Sequence, residues 1–159
     1  MLGYNENGTV RLMETKTKYK LREATWQADE KALMKVRTIV FIEEQMVPVK
    51  DEIDEYDPVS YHVLINDEEH NPVATGRLNP DGQIGRMAVL KEHRGNGLGH
   101  MMMKHLMDKA LNDGHRIIEM SAQTHAIPFY SKYGFTTVGR IYDEVGIPHQ
   151  KMVYIHKKS

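Results

Sequence analysis

Between Ile84 and Ser121 the chain reads strand, glycine turn, helix, strand, and that order limits the folds open to it. IGRMAVL (84–90) is a short apolar run, followed after a turn by Arg94-Gly95-Asn96-Gly97-Leu98-Gly99 and then by a Met-rich helical stretch. Apolar residues at 98, 102, 106 and 110, with 103, 107 and 111 beside them, make a wide stripe that needs burial. Methionines on such a stripe read as core filler. Asp113-Gly114 stops this helix near Asn112, and His115 to Ser121 reads as the next strand. A strand, a crossover helix and a strand predict parallel pairing with a right-handed connection. The glycine turn also points unpaired N–H groups at one spot, with the positive end of the helix dipole behind them. That is an anion cradle, suited to a phosphate or pyrophosphate.

The cradle is not a P-loop, because Lys and Ser/Thr are missing after Gly99. Nor is it a dinucleotide fingerprint, because the glycines fall at 95, 97 and 99. It resembles the [QR]-x-x-G-x-[GA] motif of the GCN5-related N-acetyltransferases (GNAT), with Arg94, Gly97 and Gly99 at the three fixed positions. A second stretch, Ala126 to Phe135, is similar to that family's N-x-x-A-x-x-x-Y-x-x-x-G-F segment. Ala126, Tyr130, Gly134 and Phe135 fit, and Gln123 stands where Asn is usual. Val36-Arg37, Phe41-Ile42, Glu44-Gln45, Val47-Pro48, Glu52, Asp54, Ala122-Gln123-Thr124 and Gly146-Ile147-Pro148-His149 together resemble the ElaA-like branch. The likeness spans roughly residues 20 to 157.

The rest of the chain supports one α+β domain. Residues 1 to 18 are polar with little hydrophobic period and read as a mobile tail, leaving 19–159 as the domain. Lys20 to Trp26 reads as a strand. Asp29 is the expected N-cap of a helix running to about Gln45, on the period of Leu33, Val36 and Val40. An acidic segment with two prolines follows. Tyr61–Ile65, Val73–Leu78 and Gln83–Leu90 form an antiparallel meander, with Asn79-Pro80-Asp81-Gly82 as a turn. Ala126–Tyr133 reads as a short helix, and Phe135–Tyr142 and Lys151–His156 as the last strands. This order predicts a mixed, mostly antiparallel sheet covered by helices. The resemblance implies the GNAT acyltransferase fold, with roughly six or seven strands and about four helices.

Composition removes other classes. The 159 residues carry 22 acids and 21 bases, with no basic stripe interleaved with aromatics, so nucleic acid is not an expected partner. No apolar run approaches the length of a membrane span, and the N-terminus lacks a signal peptide's apolar core, so a cytoplasmic location is expected. The chain has no cysteine, which excludes a thiol nucleophile and disulfides. Its nine histidines show no metal-ligand spacing, and no metal is expected.

The resemblance implies acetyl-CoA as cosubstrate and an amine as acceptor, with a homodimer as a common family state. It places the pyrophosphate on the amides of Arg94, Gly95, Asn96, Gly97, Leu98 and Gly99. The pantetheine arm would lie along Met87, Ala88 and Val89, on a strand that opens away from its parallel neighbour. One N–H there could polarise the thioester carbonyl. Gln123 would contact the cofactor or nearby backbone. Tyr130 would protonate the departing thiolate. His149 is the first candidate for the base that deprotonates the amine, being titratable near neutral pH. Glu52 and Asp54 are candidates for the same role. With Asp51, Glu55 and Asp57 they form an acidic cluster able to draw in a cationic amine. The expected reaction is direct attack by a small-molecule primary amine. A protein-lysine acetyltransferase and a non-catalytic acyl-CoA sensor are the alternatives.

Overall fold

The computed structural model describes residues 2–4, 10–12 and 18–157. β1 (Leu2–Tyr4) and β2 (Val10–Leu12) pair antiparallel with each other. The expected mobile tail over residues 1–18 otherwise lies outside the described residues.

β3 (Lys20–Ala24), β4 (Tyr61–Asn66), β5 (Pro72–Leu78) and β6 (Ile84–Val89) form an antiparallel sheet in that order. β7 (Ile117–Gln123), β9 (Ile147–Ile155) and β8 (Thr136–Glu144) form a second one, with β9 in the middle. The parallel pairing expected between β6 and β7 is confined to one point, and β6 then opens away from its neighbour as the resemblance implies. The two strands meet at a single parallel bridge, Gln83 to Glu119, with Glu119 N–H donating to Gly82 C=O at 3.1 Å, and the sheets part beyond it. The connection is that of a crossover unit, but the pairing that usually seals it is absent over the length of β6.

Both faces of the first sheet are covered, which is why β4 is buried along Val-Leu-Ile without alternation. Val63 and Ile65 face α3 (Leu98–Asn112), whose Leu98, Met102, Met103, Leu106 and Ala110 fill the main core as the stripe predicts. Ile118, Met120, Phe135 and Met152 close that core from the second sheet. Leu64 points the other way, into Trp26 and Leu33 of α1 (Trp26–Arg37).

Several boundaries move for local reasons. α1 is capped by Thr25, whose hydroxyl accepts from Ala28 N–H at 3.2 Å, and not by Asp29. Asp29 sits inside the helix and accepts from Thr25 N–H at 3.0 Å, satisfying the cap's own donor. α1 then widens into a π-helical segment over Thr38–Glu44, a form that often marks a functional site. β9 begins at Ile147, ahead of the expected Lys151, and this puts His149 in register with Gln123. The short α2 (Val49–Glu52) and α4 (Ile127–Ser131) complete the helices, α4 being shorter than the expected 126–133.

Candidate active site

Where the sheets part, a cleft of about 1020 Å³ opens. β6 forms one wall, and the ends of β7 and β9 with α4 form the other. The turn before α3 meets the Val89 end of β6 through Arg94, and the acidic segment meets β6 nearer its start through Arg86. The cleft brings together Met87, Ala88, Val89, Arg94, Gly99, Gln123, Tyr130, His149, Glu52 and Asp54.

At the α3 end the backbone does the work. Gly97 is the N-cap, with φ +77 and no side-chain cap, and Gly95 has φ +82. Met101 N–H is the first in the helix to be bonded, to Gly97 C=O at 3.0 Å. The amides of Leu98, Gly99 and His100 therefore have no partner within the helix. The three motif positions have three different reasons. Gly97 is required by its left-handed backbone. Gly99 is favoured by packing, since a Cβ there would lie 3.1 Å from Phe129 Cζ and the ring would have to shift slightly. Arg94 does not reach into the cradle. Its guanidinium grips both carboxylate oxygens of Glu44 at 2.8 Å and the Val89 carbonyl at 3.0 Å. Leu98 is in the core and Asn96 closes its own turn on the His93 carbonyl at 2.9 Å, so these two can offer a ligand only backbone.

β6 carries a bulge. Arg77 pairs with Gly85 and Thr75 with Ala88, so Arg86 and Met87 together oppose Gly76. Arg86 takes φ +51 to make this possible, an uncommon conformation for a residue with a side chain. Met87 sends its sulfur toward Gly76 and Leu106, while Ala88 packs on Val36 and Val40. These side chains serve packing on two faces, and the strand's edge is what the cleft meets.

Gln123 ends β7 in a reciprocal amide pair with Gln45, at 2.9 and 3.4 Å. This ties the π-helical segment to the second sheet across the cleft. Tyr130 is half-buried in α4, edge-on to Phe129 with ring centroids 5.2 Å apart. Burial alone pushes its phenol up to about 12. It therefore stays protonated through the neutral range, the state a proton donor must occupy. His149 is buried on β9, stacked on Tyr142. Its Nδ1 lies 2.7 Å from the Ile147 carbonyl, which can only accept, so Nδ1 carries a proton. Nε2 lies 3.3 Å from a carboxylate oxygen of Glu144. Ser121 donates to the same oxygen at 3.2 Å.

The acidic segment is not a free cluster. Arg37, 1% exposed, donates to Glu52 at 2.6 Å and grips Asp57 at 2.7 and 3.1 Å. Arg77 grips Asp54 at 2.7 and 3.1 Å and reaches Asp57 at 2.9 Å. Arg86 reaches Asp54 at 3.2 Å. Three buried or half-buried acids thus meet three arginines. Burial pushes Asp57 up, but the hydrogen bonds and charge of Arg37 with help from the Asp54 amide and Arg77 win and hold it at about 2. For Glu52 the balance goes the other way: burial outweighs Arg37 and raises it. His62, expected to serve packing or capping, is buried beside Trp26 and bonds the Asp57 carbonyl at 2.9 Å. His125 is exposed and lines the cleft instead.

The residues missed by sequence reasoning are Arg37, Arg77 and Arg86 as site components, and Glu44 and Gln45 as its ties. Arg77 and Arg86 carried a signal. Each interrupts an apolar strand, and a charge on a buried strand needs a partner. The acid-rich segment was the supply.

The family model for the acetyltransferase (GNAT) domain matches residues 28–156. The chain belongs to the GNAT acetyltransferase family. It is 39% identical to the uncharacterised N-acetyltransferase YjcF of Bacillus subtilis over 122 residues, 74% of this chain and 86% of that one. Among solved structures it is similar to Escherichia coli ElaA, with TM-score 0.76 and 27% identity over 86% of this chain and 99% of that one. It is equally similar to an acyl-CoA N-acyltransferase from Pseudomonas aeruginosa, with TM-score 0.76 and 29% identity over the same shares. As a GNAT acetyltransferase the protein is an acyl-CoA-dependent enzyme.

Proposed function

We propose that the protein moves an acetyl group from acetyl-CoA to a primary amine of a small molecule, by direct attack in a ternary complex. The observation that carries this reading is the parting of β6 from β7 beyond Gln83–Glu119, with an uncapped helix start at one end and Tyr130 in the wall. Acetyl-CoA supplies an activated acyl thioester. The amides of residues 94–99 would hold its pyrophosphate, and the free edge of β6 at Met87–Val89 would hold the pantetheine arm. Gln123, locked to Gln45, would border that arm.

The amine nitrogen bonds to the acyl carbon as the carbon–sulfur bond breaks. A β6 N–H near the bulge would stabilise the charge that gathers on the carbonyl oxygen. Tyr130 would hydrogen-bond the departing sulfur and deliver its proton. His149 would take the amine's proton on Nε2, with Glu144 beside it to hold the charged ring. A small acceptor is preferred over a basic peptide because Glu52, Asp54 and Asp57 are already spent on arginines.

Tyr130→Phe should lower turnover at least roughly tenfold, about 1.4 kcal/mol of barrier, with acetyl-CoA affinity nearly unchanged by calorimetry. Turnover at the wild-type rate would remove Tyr130 from the chemistry. His149→Gln should lower kcat at least roughly tenfold, with acetyl-CoA affinity nearly unchanged by calorimetry. An unchanged kcat assigns the base to another group.

A further inference from the structure

We propose that the acceptor amine also carries a carboxylate, and that Arg86 recognises it. This rests on the acetyl-transfer reading above and names the substrate class of the same cleft. The argument begins with how the three arginines are used. Arg37 and Arg77 hold the near contacts of the ion-pair cluster, at 2.6 to 3.1 Å. Arg86 gets what is left. Its Nη2 donates to Asp54 at 3.2 Å, an oxygen already taken by Arg77 at 3.1 Å. Its Nε donates to the Glu52 carbonyl at 3.2 Å and stands 3.6 Å from the Glu52 carboxylate, which Arg37 holds at 2.6 Å.

Among the described residues, Nη1 of Arg86 donates to nothing. It is not sealed away either. The one buried side-chain nitrogen or oxygen without a partner, among the described residues, is Thr75 Oγ1. The Arg86 side chain is 27% exposed, and it lines the cleft. Burial and the neighbouring charge of Arg77 both weigh against its cation. The cleft therefore contains a guanidinium whose acids are shared with nearer arginines, with an N–H that no described residue accepts.

Placement argues for recognition over scaffolding. Arg86 sits on the bulge of β6, beside Met87–Val89, and holds φ +51. The bulge turns a strand position toward the cleft. A carboxylate on the acceptor would accept from Nη1, a charge-assisted hydrogen bond in a half-dry site. An acceptor with a methyl group in that place would leave the guanidinium as it is.

The test compares matched amines: β-alanine against propylamine, and lysine against cadaverine. Thiol release from acetyl-CoA gives kcat/KM for each. The expected result is a preference for the carboxylated member of at least one pair. In Arg86→Gln that preference should shrink by roughly tenfold or more, and Arg86→Lys should restore part of it. Preference for the alkylamine in both pairs would overturn the proposal, as would a preference that Arg86→Gln leaves intact. Calorimetry of N-acetyl-β-alanine into CoA-loaded protein asks the same question without turnover. Binding in wild type that weakens in Arg86→Gln supports the proposal, and absent or equal binding defeats it. Failure to bind acetyl-CoA at all would instead sink the acetyl-transfer reading. Thermal melting of both variants separates loss of recognition from loss of fold.

Discussion

Asp57→Ala should destabilise the protein by about 3–5 kcal/mol, the range for removing one partner of a buried ion pair. Asp57 is fully buried and accepts from two arginines, Arg37 and Arg77. Without it, Arg37 keeps only Glu52, which burial already raises. Arg77 keeps only the half-exposed Asp54. Two guanidinium groups would remain in a dry site with less than their counter-charge. Native stability is typically about 5–15 kcal/mol, so this change alone would take a large part of it. Urea unfolding of both proteins at neutral pH measures the difference. A loss below about 1 kcal/mol would mean that the network is peripheral to stability.

The same carboxylate sets an acid sensitivity. Its folded-state value is about 2 against an ordinary 3.8. A depressed carboxylate contributes stability above its unfolded value and loses it as pH falls through its folded one. The contribution is about 2 kcal/mol, present above about pH 4 and lost on the way down toward pH 2. Glu52, raised by burial, has the opposite sign, since its ionisation in the folded state costs stability as pH rises through its usual range. Asp57→Asn should therefore show a shallower loss of stability between about pH 4 and 2 than wild type.

Gly97→Val should cut acetyl-CoA affinity by roughly two orders of magnitude, near 2.7 kcal/mol, while the protein stays folded. A Cβ at Gly97 meets nothing within 4 Å, so no atom is pushed aside. The cost is conformational. At φ +77 a β-branched residue is strained, and the turn relieves the strain by rerouting. Rerouting scatters the open amides at the start of α3. Gly95→Val, at φ +82 and also in open space, should act in the same direction. Calorimetric titration with acetyl-CoA, with circular dichroism as the folding control, decides it. Retained affinity would remove the turn from the cofactor site.

Much of the fold was legible because α3 writes its burial plainly. The stripe from Leu98 to Ala110 and the stop at Asp113-Gly114 place the helix, and the apolar runs on either side place β6 and β7. The caps and ends were less legible. Thr25 and Asp29 are both good capping residues, and only the path of the chain decides which one the helix starts from. The early start of β9 was hidden by Pro148, a residue that argues against a central strand. Pro148 is tolerated at the second position of β9, and the strand then carries His149 into the cleft.

The cradle could be read from glycine spacing, because positive φ and close packing are demands that few other residues meet. The acceptor end could not. Asp51, Glu52, Asp54, Glu55 and Asp57 look in sequence like a negative loop waiting for a cation. Arg37, Arg77 and Arg86 lie on a helix and two strands, far off along the chain, and folding delivers all three to those acids. The sequence by itself determined the strand–turn–helix unit, the main core and the family, since these rest on local period and backbone conformation. Only the tertiary structure decided where along β6 the strands part and that the acids are already paired. It also decided that one arginine keeps an N–H without a partner among the described residues, because each of these depends on groups brought within about 3 Å across distant parts of the chain.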